Sequence, residues 1–193
     1  MDVLTALEQH RDSSCAVCGL LEARSLRYLE GIARDGVNDI PLRQRLRKQG
    51  GYCARHAKLF ADQSLLLPTA ILLKDMLDAR LERVIDGNTK PIRCEACQLE
   101  ADYLEHLIKH IRKHKQAAEA VLMTLPLCLT HLTAVCKPFP KPVREKLIRR
   151  FDVTDAHLSE VIRKHDYRFQ DEAISKDERA SVEVVLGLLE TLR

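Results

Sequence analysis

Apolar residues recur every three or four positions along most of the chain, a spacing that predicts helices and no strand. Cys18, Leu21, Ser25, Tyr28, Leu29 and Ile32 fall on one such stripe, and Cys97, Ala101, Leu104, Ile108 and Ile111 fall on a second. Both stripes begin at a cysteine. Asp39-Ile40-Pro41-Leu42 reads as a helix start with proline in the first turn, and Gly50-Gly51 reads as its end. A short helix is expected from His56 through Phe60. Pro68 then opens a longer one carrying Ile71, Leu72, Met76, Leu81 and Val84, closed by Gly87-Asn88. Prolines 138, 140 and 142 forbid a helix from Lys137 to Pro142 and force an extended turn, with helix resuming at Val143 to Phe151. Leu158 to Phe169 reads as a further helix. Ser175-Lys176-Asp177-Glu178 is a capping-box signature before a last helix bearing Val182, Val185, Leu186, Leu189 and Leu192.

A repeat underlies this pattern. Cys15-Ala16-Val17-Cys18 is followed by Cys53-Ala54-Arg55-His56, and Cys94-Glu95-Ala96-Cys97 by Cys128-Leu129-Thr130-His131, with 34 and 30 residues between the paired knuckles. Laid over one another, the copies place Leu20, Leu29 and Ile32 on Leu99, Ile108 and Ile111. The expected architecture is all-α. It has two pseudo-repeated helical modules, residues 1–90 and 91–150, each organised around a CxxC…CxxH metal site, and a C-terminal helical segment, 151–193, packed across them.

Composition narrows the class. Leu, Ala, Arg, Lys and Glu dominate, aromatic residues make up 4% and tryptophan is absent, as in helical rather than sheet proteins. Met1-Asp2-Val3-Leu4 begins no apolar run, and the stretches around Leu65 to Leu73 are too short and too interrupted to span a membrane. A cytoplasmic location and no membrane partner are expected. Thiols stay reduced there, so seven cysteines in CxxC-type spacing point to metal ligands before disulfides. The net charge of +3 is too small to imply nucleic acid by itself, although Lys137 to Arg150 is markedly basic.

The knuckles carry the clearest chemistry. A CxxC turn sets two thiolates close enough to share one ion and a CxxH adds a thiolate and an imidazole, completing a tetrahedron. The expected ligands are Cys15, Cys18, Cys53, His56, Cys94, Cys97, Cys128 and His131, holding two Zn2+ ions. Zinc suits mixed sulfur and nitrogen ligation, whereas an iron-sulfur cluster, the alternative, usually takes four thiolates. Four protein ligands leave no open position for catalysis. Pairing within each copy is the expectation, and crossed pairing, one CxxC with the other CxxH, is the alternative. Cys136 stands outside the pattern and is expected to pack as a small apolar residue.

Two further groups stand out. His106, His110 and His114 follow at helical spacing among lysines and arginines, which favours a solvated basic face over a metal site. Lys164, His165, Asp166 and Arg168 form a charged cluster able to bind an anion or move protons, or else to fasten the tail by ion pairs. No nucleophile motif or phosphate-binding loop is present, and no catalytic or cofactor-binding residue is assigned.

The segments CAVCGLLEARSLRYLE, GVND…GGYCARHA, CEAC…LCLTHL and VIRKHDYRF together resemble an uncharacterised bacterial family known only as a domain of unknown function. The resemblance spans nearly the whole chain. It implies a small helical protein with paired cysteine knuckles and a charged C-terminal motif, and it brings no activity with it. The expected function is a zinc-stabilised, non-enzymatic interaction or adaptor module with a protein partner, nucleic acid through Lys137 to Arg150 being a weaker option. A redox or metal sensor using the zinc-bound cysteines, or an enzyme with a site near Lys164 to Arg168, are the alternatives.

Overall fold

The computed structural model describes residues 2–169 and 171–189. Among these residues helices are the only regular structure: α1 (Val3–Glu8), α2 (Ala16–Arg34), α3 (Ile40–Gln49), α4 (Ala54–Gln63), α5 (Leu66–Ile85), α6 (Glu95–Lys113), α7 (Lys115–Leu122), α8 (Leu129–Cys136), α9 (Lys141–Arg149), α10 (Asp152–Lys164) and α11 (Lys176–Leu189), with short 3-10 turns at Gly36–Asn38 and Tyr167–Phe169. No described helix is long and apolar enough to cross a membrane. Internal packing gathers the described residues into two units, one made of those up to Leu20 and those from His106, the other of Leu21–Glu105. Neither unit is one contiguous repeat copy, because the divisions fall inside α2 and α6.

In the Leu21–Glu105 unit, α2 and α6 run antiparallel. Arg24 donates to the Tyr103 hydroxyl at 2.8 Å, Ser25 donates to Glu100, and the Tyr28 hydroxyl donates to Glu95 at 2.6 Å, so rising numbers on one helix meet falling numbers on the other. Leu29, Ile32, Val37, Leu42, Leu46, Tyr52, Phe60, Leu72 and Met76 form the core beside them. The inner stripe of α2 is the one its periodicity predicts. That of α6 is rotated: Ala96, Glu100, Leu107 and Ile111 are buried, while Ala101 and Cys97 face solvent. The antiparallel partner draws Glu100 inward by hydrogen bonds that hydrophobic spacing does not encode.

α3 is built as its sequence dictates. The Asp39 carboxylate accepts from Leu42 N–H at 3.1 Å, Pro41 sits in the first turn, and Gly50 ends the helix at φ 86. Gly50 and Gly51 return their N–H groups to Arg47 and Leu46 carbonyls. Gly51 also has positive φ, 79, and a Cβ there would collide with the Met76 side chain. Met76 is fixed in turn, because its sulfur accepts the Tyr52 N–H at 3.1 Å. Arg43 binds Asp75 through two bonds of 2.6 and 3.0 Å, tying α3 to α5. These contacts deliver Tyr52 and Cys53 to the start of α4.

In the other unit, Leu4, Leu7, Ala16, Val17, Leu107, Ile111, Ala118, Leu122, Leu125, Leu127, Val135 and Leu147 are buried together with parts of both knuckles. α9 starts two residues earlier than the proline pattern predicts. Pro142 lies in its first turn, where no N–H is needed. α10 begins at Asp152 rather than Leu158 and ends at Lys164, and the 3-10 turn replaces its expected last residues. The Ser175 capping box forms in both directions, with Glu178 N–H to Ser175 Oγ at 3.2 Å and Ser175 N–H to the Glu178 carboxylate at 2.7 Å. α11 lies against α10 and also reaches α8; Leu192, expected on this helix, lies outside the described residues.

Replacing Gly51 by alanine forces both a left-handed backbone and a clash with Met76. It is expected to cost about 1–3 kcal/mol in denaturant melts, against a gain of up to about 1 kcal/mol for alanine at Gly31, which lies inside α2 with open space around it.

Candidate metal centres

All eight expected ligands come together, four by four, but not in the expected pairs. Cys15 and Cys18 of the first CxxC meet Cys128 and His131 of the second CxxH; Cys94 and Cys97 of the second CxxC meet Cys53 and His56 of the first CxxH. Within each quartet every ligand atom lies within 4.8 Å of the others. The expectation of pairing within each copy is therefore corrected to crossed pairing. Within the Leu21–Glu105 unit its cause is the course of α2, which leads the chain away from its own CxxC to a far end at Arg34. The antiparallel α6 brings the other copy's CxxC alongside that far end, where α3 and Cys53 follow.

Helix starts supply every donor. Cys15 and Cys94 immediately precede α2 and α6, Cys18 and Cys97 lie in the first turns, Cys53 and Cys128 are the N-caps of α4 and α8, and the histidines follow in the first turns. Free N–H groups and the positive ends of the helix dipoles therefore face the sulfurs, which favours thiolate; Cys18 N–H points to Cys15 Sγ at 3.5 Å. Backbone hydrogen bonds hold the crossed segments independently of any ion. Ala16 N–H donates to Pro126 O at 2.9 Å beside one quartet, and Arg93 N–H to Gln49 O at 3.1 Å beside the other.

A single ion with sulfur at about 2.3 Å and nitrogen at about 2.0 Å in a tetrahedron needs edges of about 3.8 Å between sulfurs and about 3.5 Å from sulfur to nitrogen. In the first centre Cys18 and Cys128 sulfurs are 3.9 Å apart, and His131 Nδ1 lies 3.6, 3.2 and 3.3 Å from Cys15, Cys18 and Cys128. In the second, Cys53 and Cys97 are 3.7 Å apart, and His56 Nδ1 lies 3.3 Å from each of Cys53, Cys94 and Cys97. These edges match one ion held by three sulfurs and a nitrogen.

Protonation at the two centres is contested in the same way. The Cys15 thiol is drawn down to about 3, chiefly by its hydrogen bond with Cys18, and Cys18 is pushed up in return. Burial works against the Cys94 thiolate, but hydrogen bonds with His56 and with backbone N–H groups bring it down to about 6. Burial, and the negative charge of Cys94, push Cys97 up to about 12. Burial opposes a charged His56 imidazole, yet bonds to Cys94 and Glu100 outweigh it and hold it up to about 10. One thiolate in each quartet thus suppresses its neighbours, a conflict that a divalent cation at the centre would resolve.

The centres differ in what surrounds them. His56 Nε2 lies 3.1 Å from Glu100, whose other oxygen accepts from Arg55 and which also accepts from Ser25. With Nε2 donating to Glu100, Nδ1 is left for a metal, the arrangement of a carboxylate-histidine-metal relay; Arg55 Nη2 also lies 2.9 Å from Nε2. In the repeat, position 100 corresponds to Leu21, so the first centre has no such carboxylate there. Glu100 escaped the sequence reading; its only signal was an acid one turn beyond Cys97. Access differs too. Cys97 is exposed and borders an open groove of about 480 Å3 with Gln49, Ile92 and Glu95, whereas Cys15, Cys128 and His131 are buried.

The remaining candidates have structural partners. Lys164 binds Glu178 at 2.7 Å with both side chains largely covered, and donates to Ala173 O, fastening α10 to α11. Asp166 pairs with Arg168 at 2.7 Å, and His165 Nδ1 contacts Val161 O. In the basic stretch, Arg150 donates to the Leu122 and Leu125 carbonyls, and Lys146 pairs with Glu119. His110 meets Asp2 at 3.1 Å and stacks with His114. Cys136 is buried at the end of α8, its thiol pushed up by burial.

Crossed pairing makes a stoichiometric prediction for serine variants analysed by elemental mass spectrometry. The pair Cys15→Ser with Cys128→Ser should retain one ion per chain, whereas Cys15→Ser with Cys53→Ser should retain none; pairing within copies reverses the two results. Glu100→Gln should weaken the second centre about 10- to 100-fold in chelator competition and leave the first unchanged.

No family model matches this chain, and no solved structure matches it. One curated relative, described as an uncharacterized 23.9 kDa protein in the xynA 3' region of Caldicellulosiruptor sp. (strain Rt8B.4), is 32% identical over 71 residues, which is 37% of this chain and 34% of that protein. The chain thus spans about a third of the length of the relative it matches, a likeness compatible with an uncharacterised family and silent on the knuckle repeat.

Proposed function

We propose that each quartet holds one structural Zn2+ and that the protein is a zinc-stabilised helical interaction module. The observation that carries this reading is the closure of each site: three sulfurs and one imidazole nitrogen, all within 4.8 Å, occupy every corner of a tetrahedron. Such a set suits zinc, which takes sulfur and nitrogen together and imposes no redox state. Donors this close leave room for one ion and not for the irons and bridging sulfides of a cluster. With no corner left for water or substrate, the ion contributes to folding energy rather than to reaction. The ion-pair and carbonyl partners of Lys164, Asp166 and Arg168 favour the same non-enzymatic reading.

Exposure of Cys97 favours a second reading for the second centre only, as a place where metal is exchanged or a thiolate oxidised. Under it, oxidation of Cys97 would remove a ligand and loosen the α4 and α6 starts.

Purified protein is expected to contain two equivalents of zinc and no visible iron absorption. A strong chelator should lower helical circular dichroism and the melting temperature together, and acidification should do the same, because protons compete for six thiolates and two imidazoles. Chelation that left both signals intact would refute the structural role. Release should be biphasic, with the faster phase assigned to the second centre by its loss in Cys97→Ser.

A further inference from the structure

α5 meets its own core on one side only. Leu72, Asp75, Met76 and Ala79 are buried, while on the far side Leu66, Leu73, Leu77, Leu81 and Val84 are 86, 40, 56, 51 and 76% exposed. With the exposed Ala70 these residues fall within about 80° of arc at 3.6 residues per turn, a continuous row about 27 Å long. Single exposed leucines are ordinary, but an unbroken apolar row along a 20-residue helix marks an interaction surface.

The row has the pattern needed to meet itself. We propose that α5 pairs with α5 of a second copy of this chain, antiparallel, about a twofold axis near residues 75–76. In that register Leu66 lies level with the partner's Ile85, itself exposed, and Ala70 with the partner's Leu81, while Leu73 comes within one residue of level with the partner's Leu77. A small residue thus faces a large one at the level of Ala70, which lets the helices approach. The charges agree with this direction. Lys74, exposed, and Asp78, half-buried, lie on one flank of the row and are joined to each other at 2.7 Å. The antiparallel axis sets Lys74 beside the partner's Asp78 and Asp78 beside the partner's Lys74, giving two symmetric ion pairs. A parallel pair would set lysine against lysine. An unrelated partner helix would have no reason to find this internal complementarity, and it is independent of which metal the quartets hold.

The test is the mass and dissociation constant of the full, metal-loaded chain by sedimentation from about 1 to 100 μM, the range suited to an interface at the small end of specific ones. A dimer is expected. Leu77→Glu should weaken it at least about tenfold, and Leu73→Glu, at a second position on the row, should do likewise. Lys74→Asp and Asp78→Lys should each weaken it about two- to fivefold, and the combined reversal should return to within about twofold of the unaltered chain. Circular dichroism and metal content, unchanged in each variant, separate lost pairing from lost folding. A chain that stays monomeric at the highest concentration overturns the proposal, as does a dimer indifferent to both glutamates or one that the charge reversal fails to restore.

Discussion

Three sulfurs and an imidazole nitrogen held within a few ångströms of one another cannot all adopt the charge state that ligation requires unless positive charge lies among them. In this protein two such quartets form where helix starts converge, and the local geometry of α2, α4, α6 and α8 is organised around that requirement. Helix N-termini offer unpaired N–H groups and partial positive charge, so they ease part of the crowding; the pressed-down thiols of Cys15 and Cys94 and the raised ones of Cys18 and Cys97 measure what remains. The helices between the knuckles are modest ones by themselves, several of them 8–10 residues long. Ions held at the two quartets would tie their starts together and supply stability that propensity does not.

Crossing of the ligand pairs gives the repeat a different meaning from two beads on a string. Each quartet takes one knuckle from each copy, so neither copy owns a complete site, and folding of the first depends on folding of the second. The antiparallel contacts from Arg24 to Tyr103 and from Tyr28 to Glu95 set this arrangement in the Leu21–Glu105 unit, and the Gly50-Gly51 turn, braced by Met76, then presents Cys53 to it. The left-handed backbone that only glycine adopts freely at position 51 is thus part of how the second centre is assembled.

The two centres also differ from one another. Glu100 braces His56 at one centre where Leu21 occupies the corresponding place at the other, and Cys97 is exposed where its counterpart Cys18 is half-buried. A held imidazole with an exposed cysteine and a more deeply covered quartet are different chemical objects, even though the spacing of their ligands is the same. The former is the place where exchange or oxidation would begin.

Much of this was legible in the sequence. CxxC and CxxH spacing fixed which two donors share a knuckle, Asp39, Pro41 and Gly50 bounded α3, and Ser175 with Glu178 marked the start of α11, because each is a signal between residues a few positions apart. The inward turn of Glu100, the early starts of α9 and α10, and the partners of Lys164 and Arg168 were not, since each depends on what a neighbouring helix offers. The same holds for the metal quartets: short-range geometry makes the knuckles, but only the antiparallel course of two long helices decides which knuckles meet.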